Sequence, residues 1–234
     1  MNPLADLHHT TGIRQHIIDR VLARRGSLHL FDQLNARRTA LIVVDMQNTF
    51  CAPGAPAEVP HARGICAAIN RLTAALRARG GLVAWVQHAN SHGADGRSDW
   101  AGFFDRFVAA DVRQRTIESL APGRDGQQRW SALIADPRDL HLMKNRYSAF
   151  IAGSSQIERA LRSRGIDTVL IAGTKTNVCC ESTARDAMML DFNVVMLSDA
   201  CAALSDDEHQ TALETCIQNF GDVLSVDETI ARLT

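Results

Sequence analysis

The stretch from Asp167 to Asp199, DTVLIAGTKTNVCCESTARDAMMLDFNVVMLSD, constrains the fold more than any other part of the chain. It reads as strand, tight turn, helix and strand. Asp167 to Ala172 is a short apolar run bounded by charge and by Gly173, the pattern of a buried parallel strand. Thr174 to Val178 is a polar crossing. From Cys179 a helix is expected, because Cys180, Ala184, Ala187 and Met188 fall on one face at helical spacing. Val194 to Leu197 is the next strand. Cys179 would therefore sit in the first turn of a helix, at the carboxyl end of a strand, where open α/β sheets bind ligands. Free amide N–H groups and the helix dipole favour an anion there, and so a thiolate, a far better nucleophile than a thiol.

The rest of the chain repeats the alternation. Thr39 to Met46 (TALIVVDM) is a buried strand that ends in Asp45. A carboxylate at the end of an apolar strand is poorly explained by folding, since its burial costs several kcal/mol without partners. The bland alternative is a turn cap working through Gln47 or Asn48. Phe50 follows in a loop rich in proline and glycine. His61 to Arg79 reads as a helix closed by Gly80-Gly81, and Leu82 to Gln87 as a second strand. Trp100, Phe103, Phe104 and Phe107 mark an aromatic segment, read as a satellite of the core in preference to a lid over an apolar substrate. Leu140 to Met143 is a short apolar run that delivers Lys144, as the first strand delivers Asp45. Gly153 to Arg164 and Asp206 to Asn219 read as helices, the first capped by Ser154 or Ser155, and Asp222 to Val226 as the last strand. Six strands separated by crossover lengths imply a parallel sheet with helices on both faces.

At 234 residues and 46% hydrophobic content the chain can bury a core as one domain. Ile13, Ile17, Ile18, Val21 and Leu22 stripe a basic helix ahead of it, so residues 1–36 read as a helical arm and 37–234 as the domain. Whether the arm packs on its own chain or on a neighbour is open. A net charge of -1 gives no reason to expect nucleic acid, and no apolar run approaches the ~18 residues of a membrane span. The polar N-terminus lacks the apolar region of a secretory signal. Cys51, Cys66, Cys179, Cys180, Cys201 and Cys216 show no zinc-type pairing and read as reduced thiols of a cytoplasmic protein.

Asp45, Lys144 and Cys179 are thus polar residues at strand ends or a helix start. A cysteine can act as nucleophile, a carboxylate as its base and later as the acid for a leaving amine, and a lysine can hold the two together. The turn GTKTNVC offers backbone N–H groups for an oxyanion. A Cys–His arrangement would have to draw on His88, His92 or His141. Cys180, the rival nucleophile, sits on the apolar face and reads as buried filling.

The segments ALIVVDMQNTF, KNRYSAF and GTKTNVCCESTARDAMMLDFNVVMLSDA, in that order, resemble the isochorismatase-like cysteine hydrolase superfamily from Thr39 to Glu228. The resemblance implies a three-layer α/β/α sandwich with a six-stranded parallel sheet. It implies a triad of Cys179, Asp45 and Lys144. It also implies a cis, non-proline peptide between Thr174 and Lys175 that aims the N–H groups of Lys175 and Cys179 at the oxyanion. Nicotinamidases of the superfamily hold a metal with an Asp-x-His and further histidines. The loop after Phe50 has no Asp-x-His, so no metal and no cofactor are expected. Isochorismatases that cleave a vinyl ether lack the cysteine, so Cys179 favours amide chemistry. TNVCCEST and RYSAF look most like the ureidoacrylate, biuret and N-carbamoylsarcosine amidohydrolase branch, which suggests Phe50, Tyr147 and Gln218 as pocket residues. The expectation is a cysteine amidohydrolase acting on a small linear amide or ureido compound through a thioester. The partner is a small-molecule substrate, and the assembly a homodimer or homotetramer. A vinyl ether or ester hydrolase and a non-catalytic binder are the alternatives.

Overall fold

A computed structural model describes residues 7–9, 12–91 and 98–234. Its centre is a six-stranded parallel sheet of β1 (Thr39–Val44), β2 (Leu82–His88), β3 (Leu140–Lys144), β4 (Thr168–Thr174), β5 (Asn193–Ala202) and β6 (Asp222–Leu224). The strand order is β3-β2-β1-β4-β5-β6, so the winding reverses between β1 and β4. At such a switch the crossovers leave on opposite faces and a crevice opens at the carboxyl ends of the two strands.

The helices are α1 (Gln15–Arg25), α2 (Asn48–Cys51), α3 (Cys66–Ala78), α4 (Ala101–Phe107), α5 (Ala110–Leu120), α6 (Ile157–Arg162), α7 (Glu181–Met189), α8 (Asp206–Asn219) and α9 (Val226–Arg232). The strand period of two divides the core. Ala40, Ile42 and Val44 of β1 face one apolar layer, with Ile157, Ala184 and Leu213 from α6, α7 and α8. Leu41 and Val43 face the other, with Ile69, Leu72 and Leu76 of α3 and Val226 of α9. This is the expected three-layer sandwich.

Several boundaries differ from the sequence reading. The helix expected from His61 is a 3-10 turn at Pro60–Arg63 followed by α3. The helix expected from Gly153 starts only at Ile157, because Gly153 adopts φ 81° and no helix passes through that conformation. Strand β6 stops at Leu224, where Ser225 opens α9 with a capping box to Glu228. Helices α5 and α9 were not anticipated.

Candidate active site

The site is built from strand ends at the reversal. Strand β4 approaches β1 so closely at Gly173 (φ 115°) that a Cβ there would stand 2.0 Å from the Val44 carbonyl oxygen. Only glycine fits. On the β1 side the chain turns at Asp45, whose φ of 54° lies in the left-handed region that aspartate tolerates better than most residues. The Asp45 amide donates to Val86 O at 2.8 Å, which fixes the turn against β2. The Asp45 carboxylate caps no turn through Gln47 or Asn48, and Gln47 is engaged elsewhere. It clamps the next strand, donating from Nε2 to His88 O (3.0 Å) and accepting from the His88 amide through Oε1 (2.7 Å).

Lys144 ends β3, two strands from β1, and its long side chain bridges that distance. Nζ lies 2.7 Å from Asp45 Oδ2, with both side chains fully buried. It also donates to Arg146 O at 3.0 Å and to His88 Nδ1 at 3.2 Å. His88 is thereby the Nε2–H tautomer, which donates to Asn90 Oδ1 at 2.9 Å. Neither carboxylate oxygen of Asp45 meets a well-aligned donor, so the contact with Lys144 is an ion pair that leaves lone pairs for a proton.

Cys179 closes the group. The Thr174–Lys175 peptide is cis. Thr176–Cys180 then forms one π turn, with Cys180 N donating to Lys175 O at 3.1 Å, and α7 begins at Glu181. The sequence reading placed the cysteine in the first turn of an α-helix, an environment that favours a thiolate. Instead, burial pushes the Cys179 thiol up to about 12, Lys144 opposes that rise and Asp45 adds to it. The cation is shared with a carboxylate, so the resting sulfur is a thiol. Burial likewise raises Asp45, and Lys144 offsets this only in part. Burial alone would depress Lys144, but its interactions, with Asp45 first, outweigh that and the ammonium is retained. His88 is held well below the usual imidazole range by burial and by Lys144, and is neutral.

A cavity of about 290 Å³ opens above Cys179, and Phe50, Tyr147 and Lys175 line it. Gln218 is elsewhere. It accepts from Arg20 Nη1 at 3.0 Å and lines a second cleft with Asn193, at the amino end of β5. The aromatic segment does not pack as a core satellite: Phe104 is buried, Phe107 is 77% exposed, and Trp100 and Phe103 wall the cavity. His141 does not line this cavity, and His92 lies outside the described residues. Cys180 is wholly buried. Among the described residues no group of three or more His, Cys, Asp or Glu side chains could hold a metal ion, and no helix is long and apolar enough to cross a membrane.

Sequence reasoning missed His209. It sits in the first turn of α8, where Nε2 donates to Ser198 O (3.0 Å) and Nδ1 accepts from Thr176 Oγ1 (2.8 Å), tying α8 to the Thr176–Cys180 turn. Its position just after the carboxyl end of β5 was the available signal.

The fold and the arrangement of polar groups define an open α/β protein with a buried Asp–Lys–Cys group at its ligand crevice. The isochorismatase domain model matches residues 39–228, and the chain belongs to that family. It is 33% identical over 208 residues to the ureidoacrylate amidohydrolase RutB of Variovorax paradoxus, covering 84% of this chain and 82% of that one. It is 31% identical over 209 residues to the isochorismatase family protein YecD of Escherichia coli O157:H7, covering 86% and 99%. Among solved structures, a cysteine hydrolase from Pseudomonas syringae pv. phaseolicola superposes with a TM-score of 0.76 at 32% identity, covering 85% and 93% of the two chains.

Proposed function

We propose that this protein is a cysteine-dependent amidohydrolase cleaving the C–N bond of a small amide or ureido compound. The observation that carries the reading is the 2.7 Å Lys144–Asp45 ion pair, buried against a Cys179 that lines the cavity. Burying two charges is costly and is rarely kept for stability alone. The likeness to an amidohydrolase supports the same chemistry.

Asp45 takes the thiol proton as Cys179 Sγ attacks the carbonyl carbon. The transfer is coupled to attack because the resting sulfur is protonated. The N–H groups of Lys175 and Cys179 receive the oxyanion, a contribution of ~3–4 kcal/mol per donor in studied enzymes. Collapse breaks the C–N bond, and Asp45 returns its proton to the departing nitrogen. Water, deprotonated by Asp45, then attacks the thioester carbon. The acid leaves and the proton passes back to sulfur. Lys144 remains charged throughout and keeps the negative charge on Asp45 tolerable. Six unpaired, buried cysteines support a reducing, cytoplasmic compartment, and an assembly of two or four copies belongs to the same proposal.

The test is ammonia release from biuret, ureidoacrylate, N-carbamoylsarcosine, nicotinamide and maleamate, with Cys179→Ala as control. Turnover that disappears in Cys179→Ala at an unchanged melting temperature is expected. Full activity in that variant would overturn the mechanism.

A further inference from the structure

We propose that the cavity selects neutral amides with a single-ring aromatic or similarly compact apolar acyl group, and rejects acyl groups that carry a carboxylate. This rests on the amidohydrolase reading and names its substrate class.

The cavity, at about 290 Å³, lies at the small end of ligand pockets and suits one ring plus an amide. Its walls are Phe50, Trp100, Phe103, Phe104, Leu120 and Val178. The aromatic wall is prepacked. Trp100 and Phe103 stack with centroids 4.7 Å apart, and Tyr147 meets them edge-on at 4.7 and 5.5 Å. Such a wall offers apolar ring surface, against which another ring packs and a charged group loses its hydration.

Two polar groups of the lining already have partners within the protein. Thr116 Oγ1 donates to Val112 O at 2.8 Å, and neutral His88 donates to Asn90. Arg146, the cation beside the aromatic wall, is not a lining residue. Its guanidinium lies 5.3 Å over the Trp100 ring and donates to the Asn145 and Asp99 carbonyls. Among the described lining residues Lys175 is the one cation apart from the buried triad, and it belongs to the nucleophile turn. A carboxylate on the acyl group would give up its hydration to ring and aliphatic carbons, with no guanidinium among the described lining residues to replace it. Ureidoacrylate carries such a group, so this chain would differ in substrate from the relative named for that activity.

The test uses an isosteric pair on the full-length protein, 4-nitrobenzamide and 4-carbamoylbenzoate, with benzamide and ureidoacrylate alongside. For the wild type, kcat/KM is expected to be at least 100-fold higher for the neutral member of the pair. Trp100→Ala should raise KM for benzamide about tenfold and leave kcat within a few fold. A preference for 4-carbamoylbenzoate or ureidoacrylate, lost in Cys179→Ala, would overturn the selectivity while leaving the amidohydrolase reading intact. Absence of turnover with every amide would instead strike at that reading. Calorimetric binding to Cys179→Ala then decides the selectivity on its own: tighter binding of the neutral ligand supports it, and equal or tighter binding of the anion overturns it. Loss of such anion binding in Lys175→Met would identify the cation responsible.

Discussion

At the scale of single residues, Asp45 is the group whose titration should govern activity. In the proposed mechanism it must be ionised to accept the Cys179 proton, and burial raises its pKa above the ordinary carboxylate value. As pH falls through that raised value the base is lost, so kcat/KM for a neutral substrate should decline along a one-proton acid limb. The limb should lie above the ~4 of an exposed aspartate. No alkaline limb from Cys179 should appear in the neutral or mildly alkaline range, because its thiol is pushed up to about 12. A rise in rate tracking thiol ionisation between pH ~8 and ~9, where free cysteine titrates, would contradict a sulfur protonated at rest. Cys180 lies one position away and is wholly buried in the apolar layer with Cys201. Cys180→Ala removes one buried sulfur and should cost about 1 kcal/mol or less by denaturant titration. Its kcat should stay within about twofold of wild type, where loss of kcat at an intact fold would reassign the nucleophile.

The elements show why part of the site was legible and part was not. Asp45 and Lys144 stood out because a polar residue ending an apolar strand violates the pattern around it. Cys179 stood out because β4 leads directly into its turn. The ionisation state of Cys179 was not legible, since it depends on a lysine held in common with Asp45, and sequence spacing does not report that. Gln218 failed for a geometric reason. Helix α8 starts near the carboxyl ends of the strands and runs back across the sheet at ~1.5 Å per residue. Gln218, the thirteenth residue of α8, lies far from the crevice that the first turn adjoins. His209, in the first turn, instead meets Thr176 and stacks on His9 with ring centroids 4.4 Å apart, while His9 stacks on His61 at 4.0 Å. Burial holds His209 down to about 4, and it lowers His9 as well. Both are depressed below the unfolded value of ~6.5, so the unfolded chain binds protons first as pH falls. The stability of the stack is fully present above pH ~6.5 and is lost as pH drops from there toward 4, by at most ~1.4 kcal/mol per pH unit per histidine. Denaturation midpoints at pH 7.5 and 5 should therefore differ by more in the wild type than in His209→Gln. Equal differences would remove the histidine from this account.

For the whole molecule, the outstanding relation is between the N-terminal segment and the sheet domain. The family match begins at residue 39, where β1 begins, and α1 precedes it. We propose that residues 1–36 form an arm of the 37–234 domain whose helix α1 is seated on the same chain. Ile17 and Val21 are buried in the apolar layer shared with α8. Arg14 donates from its amide and from Nε to Glu214 Oε1 at 3.0 and 2.8 Å, and Arg25 donates to Ile217 O at 3.0 Å. Burying Ile17 and Val21 contributes roughly 1.5–3 kcal/mol each. The Arg14–Glu214 contact contributes through its buried end, since the Glu214 side chain is 4% exposed whereas that of Arg14 is 52% exposed. Arg14→Ala should lower the denaturation midpoint, chiefly by leaving a buried carboxylate without its charged donor. Ile17→Asp should lower it more. The discriminating measurement is the denaturation midpoint of wild type and Arg14→Ala at protein concentrations a hundredfold apart. With α1 on its own chain, the difference between the two proteins is the same at both concentrations, because an intramolecular contact carries no mass-action term. With α1 exchanged onto a neighbour, the wild-type midpoint rises with concentration and Arg14→Ala loses part of that rise, which would transfer the arm to the interface between copies.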